Sequence, residues 1–228
     1  FLGIDAAGTT AKKNMAAGLL IFDSDENFVT NTVSSGNNTG IAIEGGNSNG
    51  FAGNIIGLDA GGTAKVPNYQ GMFLAGADNR VGGDSAGFSN TISGNGVVSN
   101  ISPCVGYGIY VAVFADLTTL ELLTHDNSIS GNKIGTDPTG AVGLGNCWQG
   151  INTNPITSTT IGSITDSGRN LISGNGWGGV WCEALYGDAL AEGGYCSIMG
   201  NNVGTDISGT YSIYNDAHNT TPISSGKG

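Results

Sequence analysis

Four aspartates recur in one setting, and a repeated carboxylate is the first feature of this chain able to do chemistry. Each is preceded by an aliphatic residue, a glycine and one variable residue: Leu2-Gly3-Ile4-Asp5, Ile56-Gly57-Leu58-Asp59, Ile134-Gly135-Thr136-Asp137 and Val203-Gly204-Thr205-Asp206. A glycine lies three positions after each aspartate (Gly8, Gly62, Gly140, Gly209) and an asparagine nine positions after (Asn14, Asn68, Asn146, Asn215). In the last three copies another asparagine lies five positions before it (Asn54, Asn132, Asn201). Carboxylates aligned on one edge, with backbone carbonyls, would suit calcium, so Asp5, Asp59, Asp137 and Asp206 are weak calcium candidates. The same spacing describes an Asp-x-x-Gly turn whose carboxylate accepts backbone N–H groups, and that reading is preferred. No other cofactor is indicated.

The remaining candidates are sparse. Arg80 and Arg169 stand in matching turns and read as anchors, and His125 beside Asp126 lacks a nucleophile to serve. The cysteines lack CxxC spacing and have no neighbouring histidine, which argues against zinc. Four cysteines allow three pairings; Cys182–Cys196 and Cys104–Cys147, each tying a side loop, are favoured, and disulfides suggest an exported, extracellular or cell-surface protein. Trp148, Trp177, Trp181, Tyr186 and Tyr195 crowd the last third, and Tyr107, Tyr110 and Phe114 lie beside an insert. Such rings could hold sugars as a ligand or partner surface, or pack inserts by burial. Asn37, Asn100 and Asn219 fit the glycosylation sequon, at near-chance frequency in a chain this rich in Asn and Thr.

These residues need elements to position them. Glycine is the commonest residue, at 41 of 228, and only 11% of residues are charged. The glycines do not fall at every third position, which excludes collagen, and the many β-branched residues argue against disorder. Short strands joined by many turns suit this composition. The net charge of −11 with scattered cations argues against nucleic acid. No apolar run approaches a membrane span. The chain opens at Phe1, as a mature product or a fragment would.

A second element, Ser-Gly-Asn, alternates with the aspartate motif: Ser35-Gly36-Asn37, Ser93-Gly94-Asn95 and Ser173-Gly174-Asn175. Motif aspartates are 54, 78 and 69 residues apart. Such periods mark a solenoid. Three coils of about 22 residues per period predict nine or ten coils, a rod of roughly 45 Å, and aspartates some 14 Å apart. Asparagines stacked along the axis would hydrogen-bond as ladders. Two inserts interrupt the pattern. Residues 113–125 read as a short helix, with Asp116 as N-cap and Leu117, Leu120 and Leu123 on one side, and residues 183–195 as a loop.

The Ile-Ser-Gly-Asn and Ile-Gly-Thr-Asp-x-x-Gly elements resemble those of the right-handed parallel β-helix repeat family of bacterial surface and secreted proteins. The resemblance implies an all-β fold: a right-handed single-stranded parallel β-helix over residues 1–217, with two loop or short-helix inserts and a flexible tail at 218–228. It implies an extracellular structural or adhesive surface protein, with polysaccharide as a candidate partner. The alternative is a carbohydrate-active enzyme, either a lyase or a glycoside hydrolase. Related hydrolases carry clustered aspartates with Gly-His-Gly and Arg-Ile-Lys segments, and neither segment occurs here. Neither end closes a cycle, so Phe1, Leu2 and Ile4 are expected to stack on a neighbouring copy, giving a head-to-tail homopolymer.

Overall fold

The computed structural model describes residues 1–85, 87–97, 104–113, 115–116, 121–154, 157–183 and 195–216. Among them the chain is all-β, a right-handed parallel β-helix of six coils and three six-stranded parallel sheets. The first sheet stacks Ala17–Phe22, Thr39–Glu44, Gln70–Ala75, Ile109–Val111, Gln149–Thr153 and Gly178–Cys182. The second stacks Phe28–Thr30, Gly50–Ala52, Arg80–Gly82, Asn127–Ser130, Thr159–Gly162 and Cys196–Met199. The third stacks Val33–Ser34, Ile55–Ile56, Thr91–Ile92, Lys133–Ile134, Leu171–Ile172 and Asn202–Val203.

Six coils replace the nine or ten expected. At the spacing of paired strands the rod is about 25–30 Å long. The error lay in the period. Each interval between motifs holds two coils, one ending in the aspartate motif and the next in Ser-Gly-Asn, as the pairing of Ile56 with Ile92 and of Ile92 with Ile134 shows. A coil is longer than the expected length of about 22 residues because alternate coils carry a motif hairpin.

The strands form because their apolar residues alternate and are mostly β-branched. In the first sheet Leu19, Ile41, Met72, Ile109, Ile151 and Val180 share one register row. Val29, Phe51, Val81, Ile129, Ile161 and Ile198 form another in the second sheet. Ile56, Ile92, Ile134 and Ile172 form a third. The central members of all three rows are fully buried in one core. Each contributes about 1.5–3 kcal/mol by leaving water.

Asparagine ladders run along the three corners, the third through the first four coils only. Asn14, Asn37, Asn68, Asn95, Asn146, Asn175 and Asn215 are linked Nδ2 to Oδ1 at 2.8–3.1 Å. Asn54, Asn90, Asn132, Asn170 and Asn201 form a second ladder. Asn27, Asn49, Asn79 and Asn127 form the third. In the last step of that third ladder the backbone N–H of Asn79 donates to Asn127 Oδ1. Asn132 shows the full accounting. Its Oδ1 accepts from the side chain and backbone N–H of Asn90, and its Nδ2 donates to Val81 O, Ser130 O and Asn170 Oδ1.

Within 113–125, expected as a helix, Ala115–Asp116 pairs antiparallel with Glu121–Leu122, and residues 114 and 117–120 lie outside the described residues. An isolated helix this short is marginal, and threonines 118 and 119 weaken it further. Residues 184–194 and the tail at 218–228 lie outside the described residues.

Replacing Asn132 by Asp keeps the acceptors but removes the donors and buries a charge. An Asp here has its folded pKa raised above the unfolded value of about 3.9. The charge part of the variant's penalty is therefore absent below that pH and is incurred as pH rises through the folded pKa, while the lost amide donor costs stability at every pH. Thermal melts should show a loss of about 3–5 kcal/mol at pH 7 that shrinks on acidification.

Candidate functional site

The motif aspartates serve turns. Asp5 Oδ1 accepts from the N–H groups of Thr9 and Thr10, Asp59 Oδ1 from Thr63 and Ala64, Asp137 Oδ1 from Ala141 and Val142, and Asp206 Oδ1 from Thr210 and Tyr211. Hydroxyls of Thr63, Thr139 and Ser208 also donate to their aspartates. The backbone closes the same loop: Gly8, Gly62, Gly140 and Gly209 donate to the carbonyls of Asp5, Asp59, Asp137 and Asp206. Each motif is thus a small antiparallel hairpin standing off the rod, bridged at Ile4–Ala11, Leu58–Lys65, Thr136–Gly143 and Thr205–Ser212.

Two coils separate successive aspartates, so they stand about 10 Å apart along the axis rather than the expected 14 Å. Among the described residues no group of three or more His, Cys, Asp or Glu side chains gathers as metal ligands would. All four carboxyls are held below their usual range. For Asp5 and Asp206 the leading cause is a turn N–H, from Thr9 and Tyr211 respectively; for Asp59 and Asp137 burial raises the pKa, but the turn donors outweigh it.

The hairpins also contact one another across the intervening coil. Ala60 N–H donates to Gly8 O at 2.8 Å and Ile207 N–H to Gly140 O at 2.9 Å. At the middle step Pro138 has no N–H, and its ring stands 2.2 Å from where a side chain on Gly62 would begin. Serines of the alternate coils tie in below. Ser35 Oγ donates to Leu58 O and accepts from Gly57 N–H, and Ser93 Oγ does the same with Thr136 O and Gly135 N–H.

The aromatic residues do converge, on the outer face of the first sheet. Phe73 and Tyr110 meet edge-on at 6.0 Å, Tyr110 and Tyr107 stack at 5.2 Å, Tyr107 meets Trp148 at 5.2 Å, and Trp148 stacks on Trp177 at 5.8 Å. Phe73, Tyr110, Asn152 and Trp181 share one register row, next to the buried row through Ile109 and Ile151. Trp177 is 57% and Trp181 49% exposed, and the other rings are half-buried. Burial pushes the Tyr107 phenol up, aided by the charge of Glu183. Glu183 Oε1 in turn accepts a long 3.4 Å bond from Asn152 Nδ2. Gln149, Asn152 and Asn154, on or just after the adjacent strand, hold three of the five buried side-chain oxygens without a partner among the described residues.

Sequence reasoning found Trp148, Trp177 and Trp181 but missed Phe73, whose outward register shows only once the coils are aligned. Tyr195 is exposed on the approach to the second sheet, its carbonyl accepting from Thr159 N–H, and Tyr186 lies outside the described residues. Both favoured disulfides form: Cys104–Cys147, with Cα atoms 5.3 Å apart, and Cys182–Cys196, at 6.4 Å. Arg169 donates to Asp166 Oδ1 and Gly200 O, which is the anchoring role; Arg80 is exposed. His125 Nδ1 lies 3.1 Å from Asp126 Oδ2 on the surface. Phe1 is exposed, but Leu2 pairs with Ser34 and Ile4 packs with Val33 and Val66 of its own chain. The Asn37 amide is buried in its ladder, so glycosylation there is blocked in the folded chain.

Comparison of the chain with protein-family models, curated protein sequences and solved structures found no match. No helix among the described residues is long and apolar enough to cross a membrane.

Two predictions follow from the hairpins. Gly135 has φ +93, and a side chain there would start 2.2 Å from Ser173 O, whereas Gly204, at φ +77, faces nothing within 4 Å. Gly204→Val should destabilise by about 1–3 kcal/mol from backbone strain alone, and Gly135→Val by clearly more, in denaturant titrations. The second prediction concerns pH. Because the folded pKa of Asp137 is depressed, its contribution is present above the unfolded value of about 3.9 and lost as pH falls through the folded pKa. Asp137→Asn should therefore flatten the acid limb of the stability profile.

Proposed function

We propose that this chain is a structural and adhesive rod of an exported surface protein, and that its adhesive face is the aromatic strip on the first sheet. The observation that carries the reading is the run of contacting rings from Phe73 through Tyr110, Tyr107 and Trp148 to Trp177, which spans four coils. Ring faces held by a rigid sheet bind flat apolar surfaces with little entropy loss, and sugar rings present such faces with hydroxyls at their rims. Glu183, exposed beside the strip, hydrogen-bonded to Asn152 and close enough to act on Tyr107, offers carboxylate acceptors at its rim, which favours a hydroxyl-rich partner. Polysaccharide is therefore the preferred ligand class. The two disulfides suit an oxidising compartment. The enzyme alternative gains nothing from the motif aspartates, because each carboxylate is already committed to its own turn.

The test is affinity electrophoresis and tryptophan fluorescence against neutral and acidic polysaccharides. Binding should weaken at least about tenfold in Trp177→Ala with Trp181→Ala, equivalent to ~1.4 kcal/mol, with the melting temperature unchanged. Retention on no polysaccharide, or equal retention by the double variant, would count against the reading.

A further inference from the structure

The two ends of the rod differ in a way that defines what can stack on them. At the C-terminal end Ile198 is 52% and Val203 50% exposed, although Val81, Ile129, Ile161, Ile134 and Ile172 in the same rows are fully buried. The ladder amides there are half used. Asn201 Nδ2 donates to Ile161 O and Asn215 Nδ2 to Ile172 O, but among the described residues neither makes the onward bond that Asn132 and Asn146 make to the next coil. Among the described residues their backbone N–H groups likewise lack the partner that Asn132 and Asn146 find in Asn170 Oδ1 and Asn175 Oδ1. Gly204 faces open space, whereas Gly57 and Gly135 are each overlaid by a serine carbonyl and an asparagine Oδ1 of the following coil. The overlying residues are Ser93 and Asn95, and Ser173 and Asn175. In both cases that coil is of the Ser-Gly-Asn type.

The N-terminal end does not supply such a coil. Its outermost element is another motif, with Leu2 paired to Ser34 and the Asp5 hairpin above it. That half-coil extends one level beyond the first-sheet strand Ala17–Phe22 and the second-sheet strand Phe28–Thr30, which are the terminal strands of their sheets. If a second copy brought Ala17–Phe22 against Gly178–Cys182, its Leu2 would occupy the level of Val203. If Leu2 instead sat beyond Val203, the first and second sheets would each lack a strand. Two motif hairpins would also fall on neighbouring coils, although hairpins in this fold meet only across an intervening coil.

We propose that the C-terminal face, the open edge of Gly178–Cys182, Cys196–Met199 and Asn202–Val203, is a docking surface for one β-helical coil of the Ser-Gly-Asn type. The N-terminal face of a second copy does not fit it. The incoming coil places an asparagine above Asn201 and another above Asn215, lays its Ser-Gly turn over Gly204, and covers Ile198 and Val203. This proposal is independent of the aromatic strip.

The experiment uses the full chain with one coil inserted between Asn215 and Asp216. One insert copies residues 69–95, a Ser-Gly-Asn coil; the other copies residues 38–68, a motif coil of similar length. The first should raise the melting temperature by at least about 2–4 °C and slow hydrogen exchange of the Asn201 and Asn215 backbone amides at least tenfold. The second should do neither, while both inserts leave the exchange of core amides such as Ile129 unchanged. Equal protection by the two inserts, or none from the first, overturns the proposal. Growth of the unmodified chain into end-to-end rods under the electron microscope overturns it too.

Discussion

Every coil of this rod must turn three times, and each turn leaves backbone amides pointing along the axis where no strand can pair them. The asparagine ladders answer that constraint. One amide side chain offers an acceptor to the coil behind and donors to the coil ahead and to a neighbouring carbonyl, so the corners are satisfied without water. Serine is too short for this, and aspartate lacks the donor. Because Nδ2 of each coil donates to Oδ1 of the next in all three ladders, apart from the backbone-only step from Asn79 to Asn127, the hydrogen-bond network has a direction as well as a period. The isoleucine rows supply burial, and the ladders fix the register in which it occurs.

The alternation of two coil types is imposed on this uniform frame. A motif hairpin is too tall for one coil's rise, so its neighbours must be low, and the Ser-Gly-Asn turn is the low partner. Its serine hydroxyl, at Ser35 and Ser93, serves the motif glycine N–H of the next coil, and its glycine, at Gly36 and Gly94, leaves room for the hairpin of the preceding coil. The four aspartates follow from the same geometry. Their lowered pKa values reflect the turn N–H and hydroxyl donors that close each hairpin.

Much of this was legible in the residues. The spacing of asparagine after aspartate marks a ladder position, and the recurring Ile-Gly marks an inward residue followed by a turn. The cysteine pairing could be favoured because each bridge closes a side loop. The coil count was not legible, since a period of 54, 78 or 69 residues does not reveal how much of it is hairpin or insert. The stretch at 113–125 misled because its leucines match helical spacing, while the antiparallel pairing of Ala115–Asp116 with Glu121–Leu122 leaves no periodic mark in so short a segment. The aromatic strip was half visible. Trp148 and Trp177 stand out by composition, but Phe73 joins them only because two first-sheet strands distant in sequence are neighbours in space.

The dependence of the fold on its ladders is most directly tested by hydrogen exchange at the side-chain amides, resolved by NMR. Asn68, Asn90, Asn95, Asn132 and Asn146, buried with both neighbours in place, should exchange their Nδ2 protons orders of magnitude more slowly than Asn201 and Asn215 at the open end. Uniformly fast exchange across all seven would mean that the corners are hydrated, and would contradict the account.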